Sequence, residues 1–311
     1  MSLATFESKH RYAHLQEDVI KYLLILAATI SILTTFGILF SIVFEAIEFF
    51  QLRSFVYFFT GTEWTPGVEN SKFGALPIFA GTFMITAIAM AVALPIGLGS
   101  AIYMSEYASK NQRTILKPLL EILAGIPTVV YGFFAAITVA PFIVKISAAV
   151  GLEASFNSAL ASGVVMGIMI IPYISSLSDD VITAVPDSLR KGSLALGMTK
   201  SETIQDIVIP SALPGIISAT LLGISKALGE TMIVVMAAGL RPNLSWNLLE
   251  DMTTVTVRIV DALTGDQAFN SPATLSAFAL GLALFFVTLV LNVVSVRMIK
   301  KFKEKYKMSS L

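Results

Sequence analysis

The chain has 311 residues, of which 55% are hydrophobic and only 14% charged, with a formal net charge of zero and no cysteine. Ordinary soluble domains carry about 25% charged residues, so this surface is too apolar for water, while 21 Phe and a mean hydropathy of +0.80 exclude a disordered chain. Zero net charge argues against a nucleic-acid partner, and the lack of cysteine excludes a disulfide framework, a thiolate metal site and a cysteine nucleophile.

Six charge-free runs cover residues 22–44, 73–105, 122–144, 154–178, 207–225 and 267–296. Each reaches the roughly 18–20 apolar residues that a helix needs to cross a hydrocarbon core about 30 Å thick. The runs are continuously apolar and interrupted by Gly and Pro, without the alternation of a β-barrel strand, so six transmembrane helices are predicted and the fold class is an all-α membrane protein. Pro77, Pro95, Pro127, Pro141, Pro172 and Pro214 are expected to start or kink these helices, with neighbours satisfying the released backbone groups.

The first run follows Lys9, His10 and Arg11 as a signal peptide would, but it is too long, and Glu45, Ala46, Ile47 and Glu48 after it supply no small-x-small cleavage site. It reads as an uncleaved anchor. His10 and His14 stand four apart without a third ligand, so no metal site is expected there. Between the first two runs, Phe49, Phe50, Phe55, Tyr57, Phe58, Phe59 and Trp64 read as an aromatic belt at the level of the outer headgroups. Glu106 and Glu121 flank the connection after the second run and Asp179 and Asp180 follow the fourth; all four read as boundary residues that orient loops or cap helices.

The connection 185–210, VPDSLRKGSLALGMTKSETIQDIVIP, breaks the pattern. Pro186 fits a helix start; Gly192, Ala195, Leu196 and Met198 recur at helical spacing; Gly197 and Thr199 interrupt, and Ser201 with Glu202 opens a second short helix. A helix, a Gly turn and a helix make a knuckle that could seat Ala195 and Leu196 in a groove of another protein, or lie as a plain interfacial loop. Within it, residues 192–199 come close to a phosphate-binding loop, but Met198 stands where the lysine must be, so ATP hydrolysis is assigned to a partner and no cofactor to this chain.

Lys226 and Glu230 stand four apart in the fifth predicted span, just past its charge-free run, where a lone charge would cost about 2.5–3.5 kcal/mol on insertion scales. Placed on one helix face, the two would share that cost, either as a structural pair or as a positive station for an anion. Thr128, beside Pro127, and Thr231 are hydroxyls that could line a path, although such groups often bond back to their own helix. A carboxylate proton relay needs acids near mid-span, and Glu230 alone qualifies, too few for one. Placing the N-terminus inside leaves fifteen Lys and Arg on inner segments, six of them in the tail from Arg297 to Lys307, against Arg53, Lys72, Lys145, Arg241 and Arg258 outside. Both termini are therefore expected in the cytoplasm.

The spacing Gly197, nine residues, Ile207, one residue, Ile209, Pro210 resembles the cytoplasmic EAA loop of ATP-binding-cassette importer permeases, with Lys191, Gly192 and Ser193 where Glu-Ala-Ala is usual. FGALPIFAGT at 73–82, PIGLGSAIYMSEYAS at 95–109, LLEILAGIPTVVYGFFA at 119–135 and SKALGETMIVVMAAG at 225–239 are similar to the PstC-type permease of the phosphate importer. The resemblance runs from about residue 73 to residue 296. It implies a type I importer (MetI-like) architecture. Residues 1–72 would form an N-terminal arm, a peripheral first helix and an outer segment; 73–298 would form the core with its coupling loop at 185–210, and 299–311 a basic tail.

The same resemblance implies import of inorganic phosphate across a bacterial inner membrane. A PstA-type permease, a pair of PstB-type ATPases that bind ATP-Mg, and a periplasmic phosphate-binding protein would be the partners. Ala195, Leu196, Gly197, Thr199, Ile207 and Pro210 would make the ATPase coupling loop, and Lys226, with Glu230, Thr231 and Thr128, the substrate path. PstC relatives usually carry Arg at the position of Lys226, so the match there is by charge. A permease for another oxyanion, a proton-coupled carrier and a membrane sensor are the alternative readings.

Overall fold

A backbone that crosses hydrocarbon must satisfy its own polar groups, and the apolar runs accordingly fold as helices. The computed structural model describes residues 3–67, 70–265 and 268–308, and side chains within 17–67, 70–265 and 268–300. The side chains of His10, His14 and most of the basic tail lie outside the described residues. Six helical stretches are long and apolar enough to cross a membrane: Glu17–Leu52, Leu76–Tyr107, Thr128–Ala149, Ala159–Thr183, Lys200–Leu228 and Pro272–Lys300.

In chain order, α1 (Leu3–Leu52) and the short α2 (Phe55–Thr60) lead to an antiparallel pair, β1 (Trp64–Thr65) with β2 (Lys72–Phe73). Helix α3 (Leu76–Ile102) ends in a π turn, Tyr103–Tyr107, and is followed by α4 (Lys110–Ala124), α5 (Thr128–Phe134), a second π turn and α6 (Ala140–Ala149). Helix α7 (Ala159–Thr183) descends to the knuckle, α8 (Asp187–Ala195) and α9 (Lys200–Glu202). A third π turn, Thr203–Val208, then runs without interruption into α10 (Ile209–Leu228). Helices α11 (Met232–Ala237), α12 (Val255–Thr264) and α13 (Pro272–Met308) complete the chain.

The most extensive helix pair is α3 with α7. Their backbones approach closely because α7 presents Gly163 and Gly167 to α3: a Cβ at Gly167 would sit 2.7 Å from the Ala89 carbonyl oxygen, and one at Gly163 2.7 Å from Ile88. Small residues are how apolar helices gain contact where no hydrophobic drive separates lipid from neighbour. Around this pair the buried apolar side chains form three clusters stacked along the bundle. One lies at the knuckle end (Ala101, Ile182, Val208, Ile216), one at mid-height (Ile85, Met169, Ile170, Ile174, Ile233) and one at the far end (Phe49, Phe58, Trp64, Phe73, Leu275). A polar tie adds to the far end, where the Thr82 hydroxyl donates to the Ile78 carbonyl at 2.8 Å and accepts the Val255 N–H at 3.0 Å, joining α12 to α3.

The far-end cluster corrects the expectation of a continuous aromatic belt. Phe49, Phe58, Trp64 and Phe73 are buried, packed edge to face with centroids 5.4–5.6 Å apart for Phe49–Phe58, Phe49–Phe73 and Trp64–Phe73. Edge-to-face packing is the arrangement that ring quadrupoles favour. Phe55, Tyr57 and Phe59 stay exposed, so a belt and a core share one segment. Among its described side chains, helix α1 meets the bundle through its last turns, from Leu39 to Phe50, with Ala46 and Phe49 buried; its side chains from Glu17 to Ile38 are all exposed.

Candidate functional site

At the knuckle, Pro186 precedes the first turn of α8 and Asp187 sits in that turn, both suited to a helix start. The chain reverses at Gly197, whose φ of +87° is a conformation that side chains with a Cβ seldom adopt. Thr199 then caps α9 reciprocally: its N–H donates to Glu202 Oε2 at 2.7 Å and its hydroxyl accepts the Glu202 N–H at 3.3 Å. A 2.8 Å hydrogen bond between the Ser193 and Thr203 hydroxyls closes the two halves on each other. Of the six coupling-loop residues expected from the sequence, Ala195, Leu196, Gly197 and Thr199 form one exposed bend, with Leu196 86% exposed at its tip. Ile207 and Pro210 sit half-buried at its root, in the π turn and the first turn of α10.

Beneath the bend lies a set of ion pairs that sequence reasoning placed only as boundary charges. Arg190 donates from Nε and Nη2 to Glu106 Oε1 at 3.1 and 2.8 Å, from Nη2 to the Ile182 carbonyl at 2.8 Å, and from Nη1 to the Val185 carbonyl. A few ångströms along α7, the fully buried Asp179 accepts from Arg113 at 2.8 Å and Lys117 at 3.5 Å, and Lys117 also reaches Asp180 at 2.6 Å. The hydrogen bond to Asp180 is the main reason that the Lys117 ammonium holds its proton above its ordinary range. These pairs pin α4 to the inner half of α7. A partial signal for them was present: Lys110, Arg113 and Lys117 recur at helical spacing on one side of α4.

The residues expected along a path stand where the fifth crossing breaks. Helix α10 stops at Leu228 with Gly229 as its cap, and α11 starts afresh at Met232. The i,i+4 stacking of Lys226 on Glu230 is therefore not formed, because the helix ends between them. Instead the Glu230 carboxylate turns forward: Oε1 accepts the N–H groups of Thr231, Met232 and Ile233 at 3.1, 3.0 and 3.4 Å, capping the first turn of α11 in a position only 8% exposed. Lys226 places Nζ over the ring of Tyr173, 4.3 Å from its centroid. Tyr173 is the fifteenth of the 25 residues of α7, so the ammonium sits at mid-height of that helix. The Tyr173 hydroxyl donates to the Ala124 carbonyl at 3.1 Å and that of Tyr131 to the Leu123 carbonyl at 3.0 Å, which brings the carbonyl end of α4 to the same level.

Thr128 opens α5, which packs on α11, one turn before Gly132 against the Met232 carbonyl; Thr231 lies at the break itself, its N–H held by Glu230. The structure places Lys226, Glu230 and Thr231 at one interrupted crossing, with Tyr173 as the member that the sequence did not single out, while Thr128 lies on the neighbouring α5. An ammonium that rests on an aromatic face rather than on a carboxylate keeps its charge available to an incoming anion. Interrupted helices with polar ends at mid-bundle are where membrane folds build ligand sites.

Residues 93–307 match the family model described as binding-protein-dependent transport system inner membrane component. A probable ABC transporter permease protein, YqgH, of Bacillus subtilis is 32% identical over 264 residues, covering 84% of this chain and 82% of that protein. A phosphate transport system permease protein PstC 1 of Mycobacterium tuberculosis is 32% identical over 290 residues (83% and 86% covered), and a PstC of Mesorhizobium japonicum is 34% identical over 249 residues (75% of each). Among solved structures, a chain of a bacterial alginate ABC transporter aligns with a TM-score of 0.63 at 14% identity, over 92% of this chain and 96% of that one. A chain of the MetNI methionine ABC transporter aligns at 0.53 and 16% identity, over 73% and 94%. These likenesses establish a shared fold.

Proposed function

This chain belongs to the family of binding-protein-dependent transport system inner membrane components, and from that premise we propose that it is the PstC-type permease subunit of an ATP-driven importer of inorganic phosphate. The observation that carries the substrate reading is Lys226, a cation seated on Tyr173 at an interrupted crossing, in a chain whose relatives include phosphate permeases. In this reading the knuckle side faces the cytoplasm of a bacterium and both termini lie there, in keeping with the distribution of Lys and Arg. A PstA-type permease completes the path, a pair of PstB-type ATPases binds ATP-Mg and docks on the bend around Gly197, and a periplasmic phosphate-binding protein delivers the anion to the far side.

The mechanism is alternating access. ATP binding draws the ATPases together, the knuckle moves, the paired permeases open outward, and phosphate enters; hydrolysis reverses the gate. Lys226 lowers the barrier for the anion at mid-height. The cation–π contact with Tyr173 is worth about 2 kcal/mol when desolvated, enough to hold the ammonium in place between turnovers yet less than its attraction to a multiply charged anion. Lys is a point charge without the fork of guanidinium, so it attracts phosphate without fixing its orientation. Glu230 occupies the N–H groups at the start of α11, which keeps that helix end from adding to an anion trap. That commitment also speaks against the proton-coupled alternative, because the single mid-span acid is engaged with backbone.

The test is ATP-dependent uptake of labelled phosphate, with sulfate as competitor, into vesicles holding the assembled four-component complex. Lys226→Met is expected to lower uptake at least tenfold with assembly intact, and Lys226→Arg to retain most of it. Normal transport by Lys226→Met would make the residue structural; sulfate entry without phosphate entry would replace the substrate by another oxyanion.

A further inference from the structure

The knuckle is joined to the bundle by the chain itself, which enters it from α7 and leaves it into α10, and by side-chain contacts. The covalent route to α10 passes through the π turn Thr203–Val208, where the wider backbone ring loosens the regular helical ladder. The second route is Arg190. Its guanidinium, 17% exposed, donates twice to Glu106, 8% exposed, in the π turn that ends α3, and it also donates to the Ile182 and Val185 carbonyls at the end of α7. The Ile182 carbonyl, in the last turn of α7, also accepts the Val185 N–H at 3.2 Å, and Val185 itself follows the end of that helix. One planar group therefore fastens three elements, α8, α3 and α7, and only the forked donors of Arg can do so at once. The other half of the knuckle touches the same place, with Lys200 Nζ 4.5 Å above the ring of Tyr107, the residue next to Glu106.

We infer that Arg190 and Glu106 form the clasp that delivers displacement of the knuckle to the α3–α7 pair as one body, making Arg190 a positioning residue for energy coupling; this rests on the importer reading above. The α3–α7 pair is tightly apposed at Gly163 and Gly167. Helix α7 carries Tyr173, the seat of Lys226, whereas Lys226 itself belongs to α10. A stroke enters α7 directly through the clasp and reaches α10 both through its π turn and through the close packing of Gly215 and Gly223 of α10 on α7. The clasp thus links the exposed tip at Leu196 to the anion station without either end touching the other.

The experiment measures phosphate taken up per ATP hydrolysed by the assembled complex in vesicles, together with co-purification of all subunits. Arg190→Ala is expected to lower this ratio about tenfold and Glu106→Gln by a smaller factor, within the range over which single contacts modulate coupling between sites, while ATP hydrolysis continues and assembly holds. A purely structural role would lower uptake and hydrolysis in proportion and leave the ratio unchanged, which would overturn the inference. If Arg190→Ala fails to assemble, the exposed Lys200→Met decides: a two- to threefold fall in the ratio supports the clasp, and an unchanged ratio rejects it. A wild-type complex that hydrolyses ATP but imports no phosphate refutes the substrate reading alone, and the ratio is then read with the oxyanion that does enter.

Discussion

Replacing Glu230 separates two accounts of a charge buried in the bundle. If the carboxylate acts as a cap on α11, what matters is an acceptor oxygen at that place; if it served to neutralise Lys226, what matters is the negative charge. The oxygen accepts at 3.0 and 3.1 Å from two N–H groups and at a marginal 3.4 Å from a third. A hydrogen bond to a charged group contributes about 1.5–3 kcal/mol net, and bonds sharing one oxygen do not add, so Glu230→Ala should cost roughly 2–3 kcal/mol by leaving buried donors unpaired. Glu230→Gln keeps the acceptor and loses only the charge assistance, about 1 kcal/mol. Thermal unfolding of the purified protein in nanodiscs gives the order wild type, Gln, Ala. Amide exchange at Met232 and Ile233 should accelerate strongly in Ala and little in Gln. Equal damage from the two substitutions, or rescue of Glu230→Gln by Lys226→Met, would refute the cap and restore the ion pair.

Gly167→Ala should cost about 1–3 kcal/mol, the usual range for overpacking, because the new methyl meets the Ala89 carbonyl and Val92 at 2.7–2.8 Å; wild-type stability in the same unfolding assay would show that α3 and α7 can part without strain. Glu250, on the loop before α12, is held below its ordinary value of 4.5, chiefly by a hydrogen bond from Asn243 and then by Ser245 and Asn247. Its contribution to order in that loop is therefore present above pH 4.5 and lost as pH falls through its lower folded-state value. Trp246, 92% exposed in the same loop, reports this in a Trp64→Phe background as a fluorescence change that Glu250→Gln should abolish, and a change that survives the substitution would assign it elsewhere.

The crossings are legible in the amino-acid sequence because a charge-free run of sufficient length has few other fates, and the knuckle because Pro186, Gly197 and the Thr199–Glu202 box are local signals that act within a few residues. The break at Gly229 is not legible: Gly is tolerated inside membrane helices, and the spacing of Lys226 and Glu230, four apart, suggests one uninterrupted helix face. The clasp is invisible for another reason, since Arg190 and Glu106 are 84 positions apart and each looks like an ordinary boundary charge. Phe49 and Phe55 differ in fate but not in type; which ring is covered depends on where α13 and the hairpin come to lie.

The bare stretch of α1 bears on how the molecule is made. From Asp18 to Ile38 its side chains are all exposed, so this stretch can enter the bilayer and settle with its backbone fully bonded before any later helix has been synthesised. Because the first helix usually dominates orientation, its insertion would commit every later crossing to a direction. The aromatic latch at Phe49 can close only afterwards, when Phe58, Trp64, Phe73 and Leu275 have arrived. Biogenesis and architecture are thereby divided along a single helix: one part guides the growing chain, and the last few turns hold the finished one together.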